Sequence, residues 1–144
     1  MHEQNLHFRR VLQAPQAKVF SLWTEPASIE RWFGGFDTRV EHVELDLRVG
    51  GHYRIEFETE EGVSEVSGKF LLVEPPSRLS YTWELNSPQG SLPATTVEVE
   101  FRAQGQETLV VLHHGPFPQD DVKVLHSQGW QACFAAIHSL ISQP

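Results

Sequence analysis

Val-Glu-Leu-Asp-Leu-Arg-Val-Gly-Gly-His-Tyr-Arg-Ile-Glu-Phe-Glu, residues 43–58, is the stretch whose reading decides the fold. Its period is two. Val43, Leu45 and Leu47 alternate with Glu44, Asp46 and Arg48; Tyr53, Ile55 and Phe57 alternate with Arg54, Glu56 and Glu58. Alternation of this kind puts one set of side chains on a buried face and the other in water, as in an antiparallel strand with one wet side. Gly50-Gly51 between the two halves predicts a tight hairpin turn.

Downstream the same period continues. The turn Glu60-Glu61-Gly62 leads into a strand over 63–73, which Pro75-Pro76 ends. Leu79, Tyr81, Trp83 and Leu85 share one face of the next strand, and a polar loop containing Pro88, Gly90 and Pro93 follows. Val97, Val99 and Phe101 alternate with Glu98, Glu100 and Arg102; Gly105 marks a further hairpin, and 108–114 form the last strand.

Upstream, residues 5–13 read as a first strand, with Leu6 and Phe8 on one side and His7 and Arg9 on the other. Pro15 and Pro26 suit helix starts, where a missing N–H costs nothing. Val19, Phe20 and Trp23 give one helical face, and Ile29, Trp32 and Phe33 give a second. Gly34-Gly35 stops that second helix, since glycine tolerates a left-handed cap.

The chain closes with a long amphipathic helix over about 118–144. Val122, Leu125, Trp130, Cys133, Phe134, Ile137, Leu140 and Ile141 make its apolar stripe. Gly129 interrupts it at a cost of roughly 1 kcal/mol relative to alanine. Close approach of the helix to the sheet beside Trp130 is the expected reason. The fold class is therefore α+β: a curved antiparallel sheet, in the order β-α-α-β6-α, wrapped around a C-terminal helix, with residues 1–144 as one domain.

Composition narrows the function. The net charge is −8, with 11 Lys and Arg against 19 Asp and Glu, and no basic cluster exists to meet a phosphate backbone. Nucleic acid and anionic membrane are thus not expected partners. No stretch approaches the ~18 apolar residues of a membrane span, and the N-terminus has no signal-peptide pattern, so the expected location is the cytoplasm. Cys133 stands alone among apolar neighbours and reads as a small buried group.

Three constellations bear on chemistry. Asp46 and Arg48, two apart on a strand, share a face and can hold a polar ligand group or form a structural ion pair. The histidines show no metal-ligand spacing: His113 and His114 point to opposite faces, while His42 and His52 can meet across the second hairpin without a third ligand. Neither metal nor cofactor is expected. His114 falls on the inward face with Val110 and Leu112. There it can orient a ligand, serve as a general base, or simply satisfy a loop carbonyl. No Gly-x-Ser-x-Gly elbow exists, and the carboxylate pairs Glu60-Glu61, Asp120-Asp121 and Glu98 with Glu100 read as solvated surface.

The aromatic set carries more. Trp32, Phe36, Tyr53, Phe57, Tyr81, Trp83, Phe101, Trp130 and Phe134, with His114, are the candidate ligand-binding residues, facing a space between the sheet and the last helix. Their other reading is plain core. Apolar pockets with few polar groups are where small ligands bind, and indoles, phenols and imidazole give such a pocket polar handles.

Further motifs extend the pattern: Trp32-Phe33-Gly34-Gly35, Leu45 through Arg54, Glu74-Pro75-Pro76-Ser77-Arg78-Leu79 with Tyr81-Thr82-Trp83, His113-His114-Gly115 and Gly129-Trp130. In this order they resemble the START-like helix-grip (SRPBCC) superfamily. More closely they resemble bacterial homologues of the C-terminal domain of the activator of the ninety-kilodalton heat-shock ATPase. The resemblance implies a helix-grip fold and a small hydrophobic molecule as ligand. It also leaves open a chaperone-associated role in the stress response and polyketide cyclase-like chemistry, in which His114 would work with Tyr53 or Tyr81. Leu109, Val111 and His113 give the last strand an outward apolar face suited to a homodimer.

Overall fold

The computed structural model describes residues 4–142. Along these the elements are β1 (Leu6–Leu12), α1 (Gln16–Thr24), α2 (Pro26–Trp32), β2 (Arg39–Leu45), β3 (His52–Thr59), β4 (Gly62–Glu74), β5 (Arg78–Ser87), β6 (Gly90–Ser91), β7 (Thr95–Gln104), β8 (Glu107–Gly115) and α3 (Asp120–Ile141). All strand pairings are antiparallel, in the order β1-β8-β7-β5-β4-β3-β2 with β6 attached to β5. The α+β architecture read from the sequence is the one observed. Residues 143 and 144, which the helix reading included, lie outside the described residues.

β1 and β2 are neighbours in sequence yet occupy opposite edges of the sheet. The α1–α2 pair makes the connection, and α3 crosses the same inner face. Pro26 sits in the first turn of α2, as its missing donor allows. Gly34 and Gly35 then take positive φ, 76° and 85°. A Cβ on Gly35 would stand 2.7 Å from the Ala132 side chain, so this glycine also lets the end of α2 lie against α3. Register shifts between Val40 and His42 and between Phe70 and Leu72 mark bulges, which bend and twist the strands that carry them.

Four local expectations differ from the structure. First, the β2–β3 connection is not a tight hairpin: β2 ends at Leu45, and residues 46–51 form a broader loop. Gly50 N–H donates to the Phe70 carbonyl (2.8 Å), while Phe70 N–H donates to the Gly51 carbonyl (2.9 Å), so the loop docks on β4. Asp46 and Arg48 therefore lie in that loop rather than on a strand. They form an exposed ion pair at 2.7 Å. Second, the loop after β5 contains β6, whose Ser91 and Gly90 pair with Asn86 and Ser87.

Third, His42 and His52 do not face one another: Glu56 stands opposite His42, and Lys69 stands opposite His52. Fourth, Leu109 and Val111 do point outward but are buried. Their cross-strand neighbours cover them, Val11 and Arg102 flanking Leu109, Arg9 and Glu100 flanking Val111. The last strand thus lacks the exposed apolar face expected of it.

Candidate functional site

The inner face of the sheet is a row of rings and branched side chains because strand parity holds from strand to strand. Tyr53 and Phe57 come from β3, Phe70 from β4, Tyr81 and Trp83 from β5, Phe101 from β7 and His114 from β8. Under α1 this row is closed. Phe101 is 1% exposed and meets Phe20 and Trp23 edge-on at 5.3 and 5.4 Å between centroids. Phe134 from α3 seals the layer against Phe8 at 5.9 Å and Trp23 at 6.2 Å.

The hollow expected between sheet and helix is largely filled. A space of about 30 Å³ remains among Trp23, Trp32, Tyr53, Phe70, Tyr81 and Trp130. That is room for little more than one or two waters. Its walls are mostly apolar, with Glu44, the hydroxyls of Tyr53 and Tyr81 and the indole N–H groups of four tryptophans as the polar groups of the lining residues. Tyr53 Oη–H donates to the Thr82 carbonyl (2.6 Å) and Trp32 Nε1–H to the Leu22 carbonyl (2.8 Å). Trp23 Nε1–H lacks a hydrogen-bond partner among the described residues; it lies by the Tyr81 hydroxyl without closing a bond. Burial holds both tyrosines protonated, their pKa values raised above the phenolic norm.

Between the sheet and the last helix, the larger volume lies further along α3. There the helix and the β3–β5 strands part, leaving a groove of about 250 Å³ walled by Phe33, Phe57, Trp83, Leu85, Leu125, Gly129, Trp130 and Cys133. Beyond Trp83, Leu85 and His126 a further 220 Å³ extends to Leu92, Phe117 and Val122. Trp83 borders the inner space and both parts of the groove. It is half-buried, so part of its indole stays exposed beside the groove.

Two histidines fix the surrounding tryptophans. Trp83 Nε1–H donates to His126 Nε2 (3.3 Å), and His126 Nδ1–H donates to the Val122 carbonyl (3.0 Å), the backbone bond one turn back. Trp130 Nε1–H donates to His114 Nδ1 (3.0 Å), leaving His114 Nε2–H to donate to Thr95 Oγ1 (2.8 Å). An indole N–H can only donate, so each ring must be neutral, His126 as the Nδ1–H tautomer and His114 as the Nε2–H tautomer. Burial agrees. Desolvation, with His126 nearby, drives the His114 pKa down to about 2, and desolvation lowers that of His126 as well. His114 therefore cannot take up a proton near neutral pH without giving up its bond from Trp130. Its partners are a hydroxyl and an indole rather than the loop carbonyl.

The structure brings together Phe57, Trp83 and Trp130 at the groove, and Trp32, Tyr53, Tyr81, Trp83 and Trp130 around the inner space. It sets four candidates apart. Phe36 is 73% exposed, because the two positive-φ glycines before it turn the chain outward. Phe101 and Phe134 are closed core. His114, although fully buried, borders neither the inner space nor the groove; Phe117, Trp83 and His126 ring it at 4.8, 5.0 and 5.5 Å.

The groove also holds residues absent from the sequence-based set: Phe33, Leu85, Leu125, His126, Gly129 and Cys133. Leu125, Gly129 and Cys133 are spaced by four, so the helix period was a usable signal for them. Gly129 itself corrects an expectation. A Cβ there would meet no atom within 4 Å, so no close approach to the sheet explains it.

Burial pushes the Cys133 thiol up to about 12, and its sulfur accepts the Gly34 N–H at 3.2 Å, a setting for an inert group rather than a nucleophile. Among the described residues no three His, Cys, Asp or Glu side chains are placed to hold a metal ion together.

Known proteins share this fold. A protein of Chromobacterium violaceum superposes with a TM-score of 0.87 at 21% identity, covering 98% of this chain and 99% of its own. The AHSA1 protein of Silicibacter pomeroyi gives 0.84 at 20% identity, with 96% and 97% covered. At such identities the likeness speaks to the fold alone. CalU16 of Micromonospora echinospora is 28% identical, with a TM-score of 0.71 over 96% of this chain and 76% of that one. No curated protein matches the chain. The sequence model of the Activator of Hsp90 ATPase homolog 1-like proteins matches residues 13–142, nearly the whole length, and the chain belongs to that family.

Proposed function

We propose that this protein binds a hydrophobic or aromatic small molecule between the sheet and α3. The observation that carries the reading is the groove along α3, where Phe33, Phe57, Trp83, Leu85, Leu125 and Trp130 present apolar surface to open space. At about 250 Å³ the groove lies just under the ~300–1,000 Å³ typical of ligand pockets, and a second space of about 220 Å³ adjoins it across Trp83, Leu85 and His126. The narrow inner space would lend the ligand only a small extension past Trp83. Binding rather than turnover fits the chemistry of the groove walls: His126 is neutral with both nitrogens engaged and the Cys133 thiol is protonated, so neither serves as a base or nucleophile, and the Glu61 carboxylate lies only at the rim.

A ligand panel read by melting temperature and tryptophan fluorescence tests this. An apolar aromatic ligand is expected to raise Tm and to change the emission of Trp83 and Trp130. Unaltered Tm and emission across neutral apolar compounds would refute the pocket.

The family's name supports a second reading, association with the heat-shock ATPase. Retention of the purified ATPase on the immobilised protein is the outcome expected of it. No retention at micromolar concentration would remove it and leave the small-molecule reading untouched.

A further inference from the structure

α3 runs for 22 residues, and its one glycine falls in its middle at the groove. Three ordinary reasons for a mid-helix glycine fail here. Its φ is not positive, so the backbone does not require it. No strand or helix approaches it, since a Cβ would find nothing within 4 Å. Nor does it end the helix, which continues through Ile141. Glycine at this point costs helix stability, and only the space above it is gained. That space is the groove, with Leu125 and Cys133 a turn away on either side and Phe57, Trp83 and Leu85 on the facing wall.

The charge of the walls narrows what can enter. Among the described residues Glu61, at the rim, is the one Asp, Glu, Lys or Arg bordering either part of the groove. No Lys or Arg among the described residues borders them, and His126, neutral with both nitrogens engaged, cannot supply a positive charge. A carboxylate or phosphate would lose its hydration with no cation to replace it, inside a protein already at −8. An uncharged molecule has no such penalty, and a cation can lie over the Trp83 face or reach Glu61.

We infer that Gly129 is the specificity-determining position of the groove, admitting a flat aromatic ligand that is neutral or cationic against bare helix backbone. The inference rests on the proposed small-molecule reading and adds to it a ligand class and a residue.

Three naphthalenes of matched size separate the possibilities: 2-naphthalenemethanol, 2-naphthylmethylammonium and 2-naphthoate, titrated by calorimetry into the wild-type protein, Gly129→Ala and Gly129→Leu. The alcohol and the ammonium are expected to bind at least tenfold more tightly than the carboxylate. Gly129→Leu should weaken both by tenfold or more. Gly129→Ala should weaken them less while raising Tm by about 3 °C, as removal of a mid-helix glycine does; that rise also shows that the helix accepts a side chain.

Equal or tighter binding of 2-naphthoate overturns the charge argument. Unchanged affinity in Gly129→Leu, with the wild type binding, overturns the role of Gly129 and leaves the pocket standing. Failure of all three to bind the wild type overturns the pocket and the inference together.

Discussion

The two ends of the inner face use the same kinds of residue and reach opposite results. Under α1, Phe20, Trp23, Phe101 and Phe134 interlock until Phe101 is 1% and Phe134 2% exposed. Along α3, Phe33, Phe57, Trp83 and Trp130 stand around open space. The difference lies in the cover. At the closed end two helices meet the sheet, and each ring has an edge-to-face or tilted neighbour within about 5–6 Å. At the open end α3 faces the strands with only the end of α2, at Phe33 and Gly34, beside it, and α3 presents Leu125, 59% exposed, and the bare backbone of Gly129. An aromatic count cannot distinguish core from pocket; the number of elements stacked over each ring does.

The largest expected effect tests that contrast directly. Phe101→Ala removes a fully enclosed ring whose neighbours cannot close over the gap, at a cost of about 3–5 kcal/mol. Phe57→Ala, on the half-buried wall of the groove, should cost less than half as much. Urea unfolding of the two variants decides it, and similar losses would mean that the groove is as rigidly packed as the core.

Next comes pH. His114 and His126 are held neutral in the folded protein, so their folded pKa values lie below the ordinary histidine value of ~6.5. Above pH 6.5 neither the folded nor the unfolded chain protonates them, and their contribution is fully present. Below it the unfolded chain binds protons that the folded chain refuses. Stability then falls by up to about 1.4 kcal/mol per pH unit for each histidine. For His114 the loss continues to its folded value of about 2.

By pH 5 it should amount to about 2 kcal/mol from His114 alone. His114→Gln should flatten the slope between pH 7 and 5, whatever its effect on stability at pH 7. An unchanged slope would show that the ring can accept a proton in place. Keeping above pH 5 avoids the carboxylates, among which exposed Glu44 is held below its usual value by its hydrogen bond from Arg54.

Much of this molecule was legible before any coordinates. Period-two alternation gave the strands, and the Pro and Gly pairs gave most of their ends. Inward parity alone put His114 inside. Most of what failed has a common cause, a contact between elements distant in sequence; Phe36 is the local exception. Gly50-Gly51 reads as a hairpin until Phe70 on β4 takes the loop's hydrogen bonds. Phe36 carries a core residue's composition, yet two glycines swing it into water. Leu109 and Val111 look like a docking face until Arg9, Val11, Glu100 and Arg102 are laid beside them by the register. Where the rings part, and where they interlock, depends on how far α3 stands from the strands. No local pattern encodes that distance.

The smallest effect on stability sharpens the comparison most, because it separates fold from site. Leu125 borders the groove yet is 59% exposed, so Leu125→Ser removes little buried surface and should shift unfolding by only ~0.5 kcal/mol. A ligand lying in the groove would cover that side chain. Losing about two of its methyl and methylene contacts at ~0.8 kcal/mol each would weaken the affinity for a neutral aromatic by about 15-fold. At the closed end no such separation can occur: a residue there touches only other residues, so any change that alters binding must pass through stability. Parallel measurement of melting temperature and affinity in Leu125→Ser therefore asks whether α3 has a face kept for something other than the protein itself. Affinity that falls only as far as stability falls would make the open end a loosely packed core and no more.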